Sequence, residues 1–475
     1  MDLRVKVGCV QDVEMSEPVS PTGQYFNTSV LSISLICILE FENPIDDASR
    51  LALHIIDDFL HINPRFSSIM VEDKEGGKCW KRVQVTVEDH IKVACFPEGL
   101  SSESYDHYFR DYLSKMAMDP LPQTKPLWEI HIIKYPTSNA SGNVIFKLHH
   151  SLGDGYSLMG ALLSCLQRAD NPSLPLTFPV LRKTIKPENE LKNLISVIAQ
   201  SLTGALNTLF DFGWSILKSS FLEDSRSPIH SGNEGLEFGP ISIMAMAFSM
   251  DQIKQIKSRL QVTINDVVNG MIFLGTRLYM DLTSKEERNT RPTALVVLNT
   301  RSIGAYKSVI EMVQNKEAKS LWGNQFTFLH VSLPELYRND ESFNPLKFIK
   351  ETQTIIRRKR NTCTVYLTGV LLEYLRKYRG PEVTAKYIHG IIKNSSMGVS
   401  NVIGPLEKMT LSNQRVKGLY YMPINGPQSL TVTTISYMDE LRVAVGTEKG
   451  FIDPEKFQTC IEKAFNMIFD AAVKS

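Results

Sequence analysis

The sequence predicts a two-lobed α/β (α+β) protein with mixed sheets, and three observations carry that prediction. The chain has 475 residues, more than one hydrophobic core usually organises. Short apolar, β-rich runs alternate with helical patterns in both halves. Between the halves, residues 170–187 rise in proline, lysine and serine, the composition of a connection rather than of a core element. The expected layout is an N-terminal lobe at 1–180, a crossover at 181–235 and a C-terminal lobe at 236–475.

Residues 29–41 (SVLSISLICILEF) are apolar and predict a buried strand. Residues 43–62 follow as a helix capped by Asp46 or Asp47, with Leu51, Leu53, Ile55, Ile56 and Leu60 turned to the core. A second helix covers 101–118 and stops at Asp119-Pro120. Residues 126–135 (PLWEIHIIKY) alternate as a strand, the NASGN segment at 139–143 turns the chain, and 144–148 form a strand pairing back. Residues 156–168 read as a helix, so a strand, a glycine loop and a helix surround His149 and His150.

The crossover contains an uncharged run at 193–210. Ser196, Gln200, Ser201, Asn207 and Thr208 interrupt it, which is poor for the roughly 20 apolar residues of a membrane span. Leu191, Leu194, Ile195, Ile198, Leu202, Ala205, Leu206, Leu209 and Phe212 share one helical face. Three readings stay open: a core helix, a helix lying in a membrane interface or guarding a lipid entrance, and a single span. Past 232–240, strands are expected at 241–250, 293–300, 325–333 and 429–445, and helices at 250–260, 265–280, 347–361 and 453–473.

Composition excludes several function classes. Net charge is +1, from 52 basic and 51 acidic residues, and no nucleic-acid-binding motif appears. Seven cysteines never form a CxxC pair, which reads as reduced thiols without a zinc ribbon or disulfide framework. The first 21 residues lack an apolar stretch, so no cleaved signal peptide is expected. No phosphate-binding glycine loop or dinucleotide fingerprint is found.

The chemistry concentrates in FKLHHSLGDGYSLMG, residues 146–160. Side chains alternate across a strand, so His149 and His150 should point apart. They therefore cannot share one metal ion, and no third ligand sits at a familiar spacing. His150 continues the face of Val144, Phe146 and Leu148, whereas His149 lies beside Lys147. An apolar setting keeps imidazole neutral and able to accept a proton near pH 7. Asp154 should brace the loop through an arginine or backbone N–H groups, a role compatible with capping the next helix. Gly153 and Gly155 would allow positive φ and close approach of substrate.

HHSLGDG resembles the HHxxxDG motif of the wax ester synthase/diacylglycerol acyltransferase family, within the CoA-dependent acyltransferase superfamily. The resemblance extends in order along nearly the whole chain: Pro126-Leu127-Trp128 is similar to its PLW element and Asn265-Asp266 to its ND element. Asn324 matches its GN segment, residues 400–405 (SNVIGP) its NVxGP element, and 429–453 its closing strands. The resemblance implies a two-lobed acyltransferase fold with a tunnel between the lobes. It implies His150 as general base, with His149, Asp154 and Gly155 supporting it. Asn265 would serve the acyl or oxyanion region, a helix N-cap being equally compatible. Pro126, Leu127, Trp128, Asn324 and Asn401 would bind substrate, and Thr433 and Thr434 are further oxyanion candidates. The implied reaction moves a fatty acyl group from acyl-CoA, a co-substrate rather than a bound cofactor, to a long-chain alcohol or diacylglycerol. No acyl-enzyme is implied, since GxSxG is absent. A membrane surface is the implied partner, at the cytosolic face of the endoplasmic reticulum, with the plasma membrane a second location.

Asp211-Phe212-Gly213-Trp214 is similar to the DFGW of the BAHD acyltransferases, but it stands in the crossover and ends in Ser215. Arg357-Arg358-Lys359-Arg360 could meet CoA phosphates or anionic lipid, or complement a helix C-terminus. The rival readings are a BAHD-like transferase acting on another alcohol and a catalytically silent membrane lipid-binding protein.

Overall fold

Two mixed sheets organise the chain. The computed structural model describes residues 17–72, 77–177, 193–284, 290–301, 322–336 and 343–474, with side chains of the crossover helix from 207 onward. The N-terminal half supplies β1 (Glu17–Pro18), α1 (Pro21–Tyr25), β2 (Ser34–Phe41), α2 (Ala48–Ile62), β3 (Ser68–Glu72), β4 (Lys78–Arg82) and β5 (Ile91–Val93). It continues with α3 (Ser102–Met118), β6 (Trp128–Ile133), β7 (Gly142–His149), α4 (Gly155–Ser164) and β8 (Gln167–Arg168). The crossover helix is α5 (Asn193–Ser220). The second half adds β9 (Ile241–Ser249), α6 (Met250–Leu260), α7 (Ile264–Thr283), β10 (Thr293–Asn299), β11 (Phe326–Ser332), α8 (Pro345–Arg360), α9 (Thr364–Arg379) and α10 (Pro381–Lys393). It ends with β12 (Met397–Val402), β13 (Met409–Leu411), β14 (Gln414–Ile424), β15 (Leu430–Tyr437), β16 (Glu440–Glu448) and α11 (Pro454–Lys474).

The first sheet runs β5-β6-β7-β2-β14-β13-β8, the second β11-β10-β12-β15-β16-β9, and β1, β4 and β3 form a small third. The lobe division drawn at 180 and 236 therefore does not hold for the sheets. β13 and β14, from residues 409–424, cross over and complete the first one, β14 pairing with β2 from Val416↔Phe41 to Ile424↔Ser34. That exchange carries part of the second half of the chain into the first sheet.

All eight residues of β2 and all eight of β7 are buried. One face packs Cys37, Leu39, Phe146 and Leu148 on α2 and α4, and the other packs Ile36, Ile38 and Ile145 on Phe109 and Leu113 of α3. A sheet covered on both faces produces continuous apolar runs rather than alternation, as in SLICILEF. Lys147 marks no solvated face: it is buried, and its ammonium donates to the carbonyls of Met116 (2.9 Å) and Asp119 at the end of α3. A cation there satisfies orphan carbonyls and the helix dipole together.

Asp47 caps α2 through Arg50 N–H, and Asp154 caps α4 through Ser157 N–H. Two expectations change. The helix after the glycine loop ends at Ser164, and Gln167–Arg168 pairs with β13 instead. Residues 429–445 are two strands, since Met438 turns the chain at φ 53°. The strand at 397–402 and the helices α9 and α10 had no expectation.

Among the described residues no helix is long and apolar enough to cross a membrane; the side chains at 193–206, most of the uncharged run, lie outside them. Asp211, the first residue of DFGW, is buried and pairs with Lys359 (2.5 Å) and Arg358 (3.7 Å) of α8. The motif therefore anchors α5 to the basic end of α8.

Candidate active site

The end of β7 separates the two histidines. His149 N–H donates to Leu127 O at 3.0 Å, and His150 N–H to Ile33 O at 2.9 Å. The His149 ring is fully buried with both nitrogens engaged. Nδ1 accepts from Ser151 N–H (3.2 Å) and lies 2.7 Å from Ser151 Oγ, so Nε2–H donates to Ser32 Oγ at 3.0 Å. Burial pushes its pKa down to about 3, and burial does the same to His330 on β11.

These two rings contribute to a pH dependence of stability. Between the ordinary imidazole value of 6.5 and about 3, the unfolded chain binds protons that the folded chain refuses. Stability then falls as pH drops through that window, by up to roughly 1.4 kcal/mol per pH unit for each ring. We expect denaturant midpoints measured from pH 7 to pH 5 to decline, and His149→Gln to make the decline shallower without abolishing it, since burial also lowers the pKa of His90, His131, His150 and His230.

His150 is half-buried, stacked on Phe26 at 4.7 Å and against Phe326 at 5.4 Å. Asn324 fixes its tautomer. The Asn324 amide N–H donates to the His150 carbonyl at 2.8 Å, so the amide oxygen, 2.8 Å from His150 Nδ1, must accept from Nδ1–H. Nε2 keeps its lone pair and has no partner among the described residues. Desolvation lowers the His150 pKa, opposed by the Asp154 charge and the Asn324 hydrogen bond. Behind Phe26 and Phe326 an apolar pocket continues to Phe328, Leu372, Ile388 and Ile391.

Asp154 lies under this pair, at the N-terminus of α4. Its carboxylate meets Arg301 in a fork, 2.6 Å to Nη1 and 2.9 Å to Nη2, and accepts from Ser157 N–H (3.0 Å) and Gln325 N–H (2.9 Å). It thus takes both an arginine and backbone donors. Arg301 Nη2 also donates to Gly323 O at 2.6 Å, Ser157 Oγ donates to the same oxygen at 3.0 Å, and Trp322 Nε1 donates to Leu152 O at 3.1 Å. Gly323 sits at φ +113°, a conformation open to glycine, which turns the chain so that Asn324 faces His150. The buried fork therefore joins the 322–325 segment of the second lobe to the histidine loop of the first.

Neither Gly153 nor Gly155 has positive φ, contrary to expectation. Gly153 is small because a Cβ would stand 2.8 Å from Ser157 Cβ, and a Cβ on Gly155 would stand 3.8 Å from Val402. Gly155 thus abuts the SNVIGP strand end. Next to Val402, the Asn401 amide donates to Asn265 Oδ1. Asn265 is not the helix cap: Thr263 caps α7, with Asp266 completing a capping box. No hydrogen bond joins the Asn265–Asn401 pair to His150 among the described residues.

Pro126-Leu127-Trp128 leads into β6 beside the histidine strand, with Trp128 paired to Leu148. Leu127 and Trp128 are buried, and the indole donates to Phe66 O at 2.7 Å and stacks on His90 at 4.1 Å. Thr433 Oγ1 donates to Tyr421 O, whereas the buried Thr434 Oγ1 has no partner among the described residues. Sequence reasoning missed Phe26, Ser157, Arg301 and Gly323. Arg301, next to Thr300 at the end of a predicted strand, had only the expected arginine for Asp154 as a signal. Among the described residues no cluster of three or more His, Cys, Asp or Glu side chains could hold a metal.

The model of the wax ester synthase/diacylglycerol acyltransferase catalytic domain matches residues 34–268, and that of the WS/DGAT C-terminal domain matches residues 322–469. Wax ester synthase/diacylglycerol acyltransferase 4 of Arabidopsis thaliana is 27% identical over 97% of this chain and 91% of its own length. Wax ester synthase/diacylglycerol acyltransferase 9 of the same plant is 28% identical, over 95% of each chain. Among solved structures, the wax ester synthase/diacylglycerol acyltransferase from Marinobacter aquaeolei superposes with a TM-score of 0.59 at 15% identity, covering 96% of this chain and all of that one. The EpoB cyclization-docking bidomain from Sorangium cellulosum reaches 0.56 at 11% identity, over 97% and 84% of the two chains; at such identities the likeness is one of fold. The two domain matches together take in the histidine loop, the Asn324 segment and most of both lobes, and the chain belongs to the wax ester synthase/diacylglycerol acyltransferase family.

Proposed function

We propose that the protein transfers a fatty acyl group from acyl-CoA to the hydroxyl of a long-chain alcohol, forming a wax ester, with diacylglycerol as a second acceptor. The observation that carries this is His150: a desolvated, neutral imidazole whose Nδ1–H is committed to Asn324 and whose Nε2 is left to accept a proton. Nε2 takes the hydroxyl proton as the alcohol oxygen bonds to the thioester carbon. The tetrahedral adduct collapses, the C–S bond breaks, and the CoA thiolate leaves with the proton from the imidazolium. The relatives' names pair wax-ester synthesis with acylation of diacylglycerol, the two acceptor classes proposed here. Asp154 acts through Arg301 and Asn324 as a positioning residue.

Both acceptors live in bilayers, so the protein works at a membrane surface, at the cytosolic face of the endoplasmic reticulum. Purified protein given palmitoyl-CoA with hexadecanol or dipalmitoylglycerol should release CoA and form the corresponding esters. Absence of ester with every long-chain alcohol and diacylglycerol would leave a silent lipid-binding protein. Ester confined to small phenolic acceptors would favour the BAHD-like reading. Asn324→Ala frees the His150 tautomer, and we expect kcat/KM to drop by about 10- to 100-fold with little change in melting temperature.

A further inference from the structure

The outward side of α9 does not carry what a solvated helix carries. Tyr366, Val370, Tyr374 and Tyr378 recur every fourth residue and are exposed by 72%, 52%, 58% and 62%. The rings of Tyr374 and Tyr378 pack together at 4.6 Å, and Lys377 Nζ lies 5.4 Å from the Tyr378 ring. The one acidic residue on this helix, Glu373, is engaged by Arg376. The opposite side of α9 presents Thr368 and Leu372 to the pocket behind Phe26 and Phe326.

Two neighbours extend this face. Cys363 N–H donates to Thr208 Oγ1 at 3.1 Å, which sets the start of α9 against α5 where Leu209 and Phe210 are 66% and 64% exposed. Residues 357–386 hold eight basic and two acidic side chains in a chain of net charge +1. Arg357, Arg358, Arg360, Lys377, Arg379 and Lys386 are exposed.

We infer that α9, with Leu209 and Phe210 of α5, docks the protein on an anionic lipid surface. Tyrosine supplies an apolar ring and a polar tip, the combination that settles at the headgroup level. Clustered arginine and lysine beside it match anionic headgroups, and the whole is an interfacial helix rather than a span. Docked this way, the pocket lies about 10 Å from the headgroups, one helix diameter, so an acceptor leaving the bilayer passes α9 to reach His150. The inference rests on the proposed bilayer-held acceptors for its purpose, but docking itself needs no turnover.

Flotation of the full chain with vesicles of phosphatidylcholine, alone or with about one-third phosphatidylserine, tests it. Wild type and His150→Ala should float equally with the anionic vesicles, and raising salt from about 0.1 to about 1 M should weaken both. Tyr366→Ser/Val370→Ser/Tyr374→Ser should partition about tenfold more weakly while keeping the wild-type melting curve and ester formation from water-dispersed hexanol. Should the triple variant not fold, Lys377→Glu/Arg379→Glu is expected to show the same loss. Wild-type flotation by a folded variant, no flotation of wild type with either vesicle, or a wild-type dimer that the substitutions dissolve would each overturn the inference. Loss of transfer with flotation intact would instead count against the proposed reaction.

Discussion

His150→Ala should lower ester formation by about 10³-fold, the middle of the range for losing a positioned general base. The reason is local. His149 cannot substitute, because both its nitrogens are engaged and burial holds its pKa near 3. The variant removes a ring held between Phe26 and Phe326, so a stability loss of about 1–3 kcal/mol accompanies it. His150→Gln separates the effects by filling most of the volume without supplying the base. It should melt closer to wild type and be as inactive in single-turnover CoA release. Wild-type rates in either folded variant would remove His150 from the chemistry.

Arg301→Met should have the largest effect on stability, about 3–5 kcal/mol, as expected when one partner of a buried, hydrogen-bonded ion pair is removed. Asp154 would keep its buried charge with only backbone donors from Ser157 and Gln325. Gly323 O would lose its 2.6 Å donor, loosening the turn that aims Asn324 at His150. Transfer should therefore fall with stability, although Arg301 touches no reacting atom. Asp154→Leu/Arg301→Met, which removes both charges, should cost less in urea unfolding than the sum of the single substitutions. Additive losses would mean that the fork contributes no coupling.

The divergence of the two histidines was legible because strand geometry alone separates neighbours. The choice of His150 by an apolar and a polar face did not hold: α3 buries Ile145 and Lys147 as thoroughly as α2 and α4 bury Phe146, and His149 is the more deeply buried of the two rings. Asp154 could be read as cap and brace, since both roles follow from an aspartate ahead of a helix. Its partner Arg301 lies 147 residues away, a distance that no local pattern spans. Asn324 was visible as a motif residue, but its selection of the His150 tautomer depends on Gly323 at φ +113° and on contacts across the lobes. The exchange of β13 and β14 into the first sheet is likewise a long-range pairing, invisible to periodicity. The stripe on α9 escaped notice because tyrosines at helical spacing read equally well as core until their exposure is known.

If a neutral His150 Nε2 takes the proton from the alcohol, the pH dependence of single-turnover transfer registers it. Because burial lowers the His150 pKa below its usual 6.5, the rate should be level at neutral pH and fall only on the acid side of 6.5, where protonation removes the base. The residual rate of His150→Gln should lack that limb. A wild-type limb centred at or above 6.5, or the same limb in His150→Gln, would contradict the assignment.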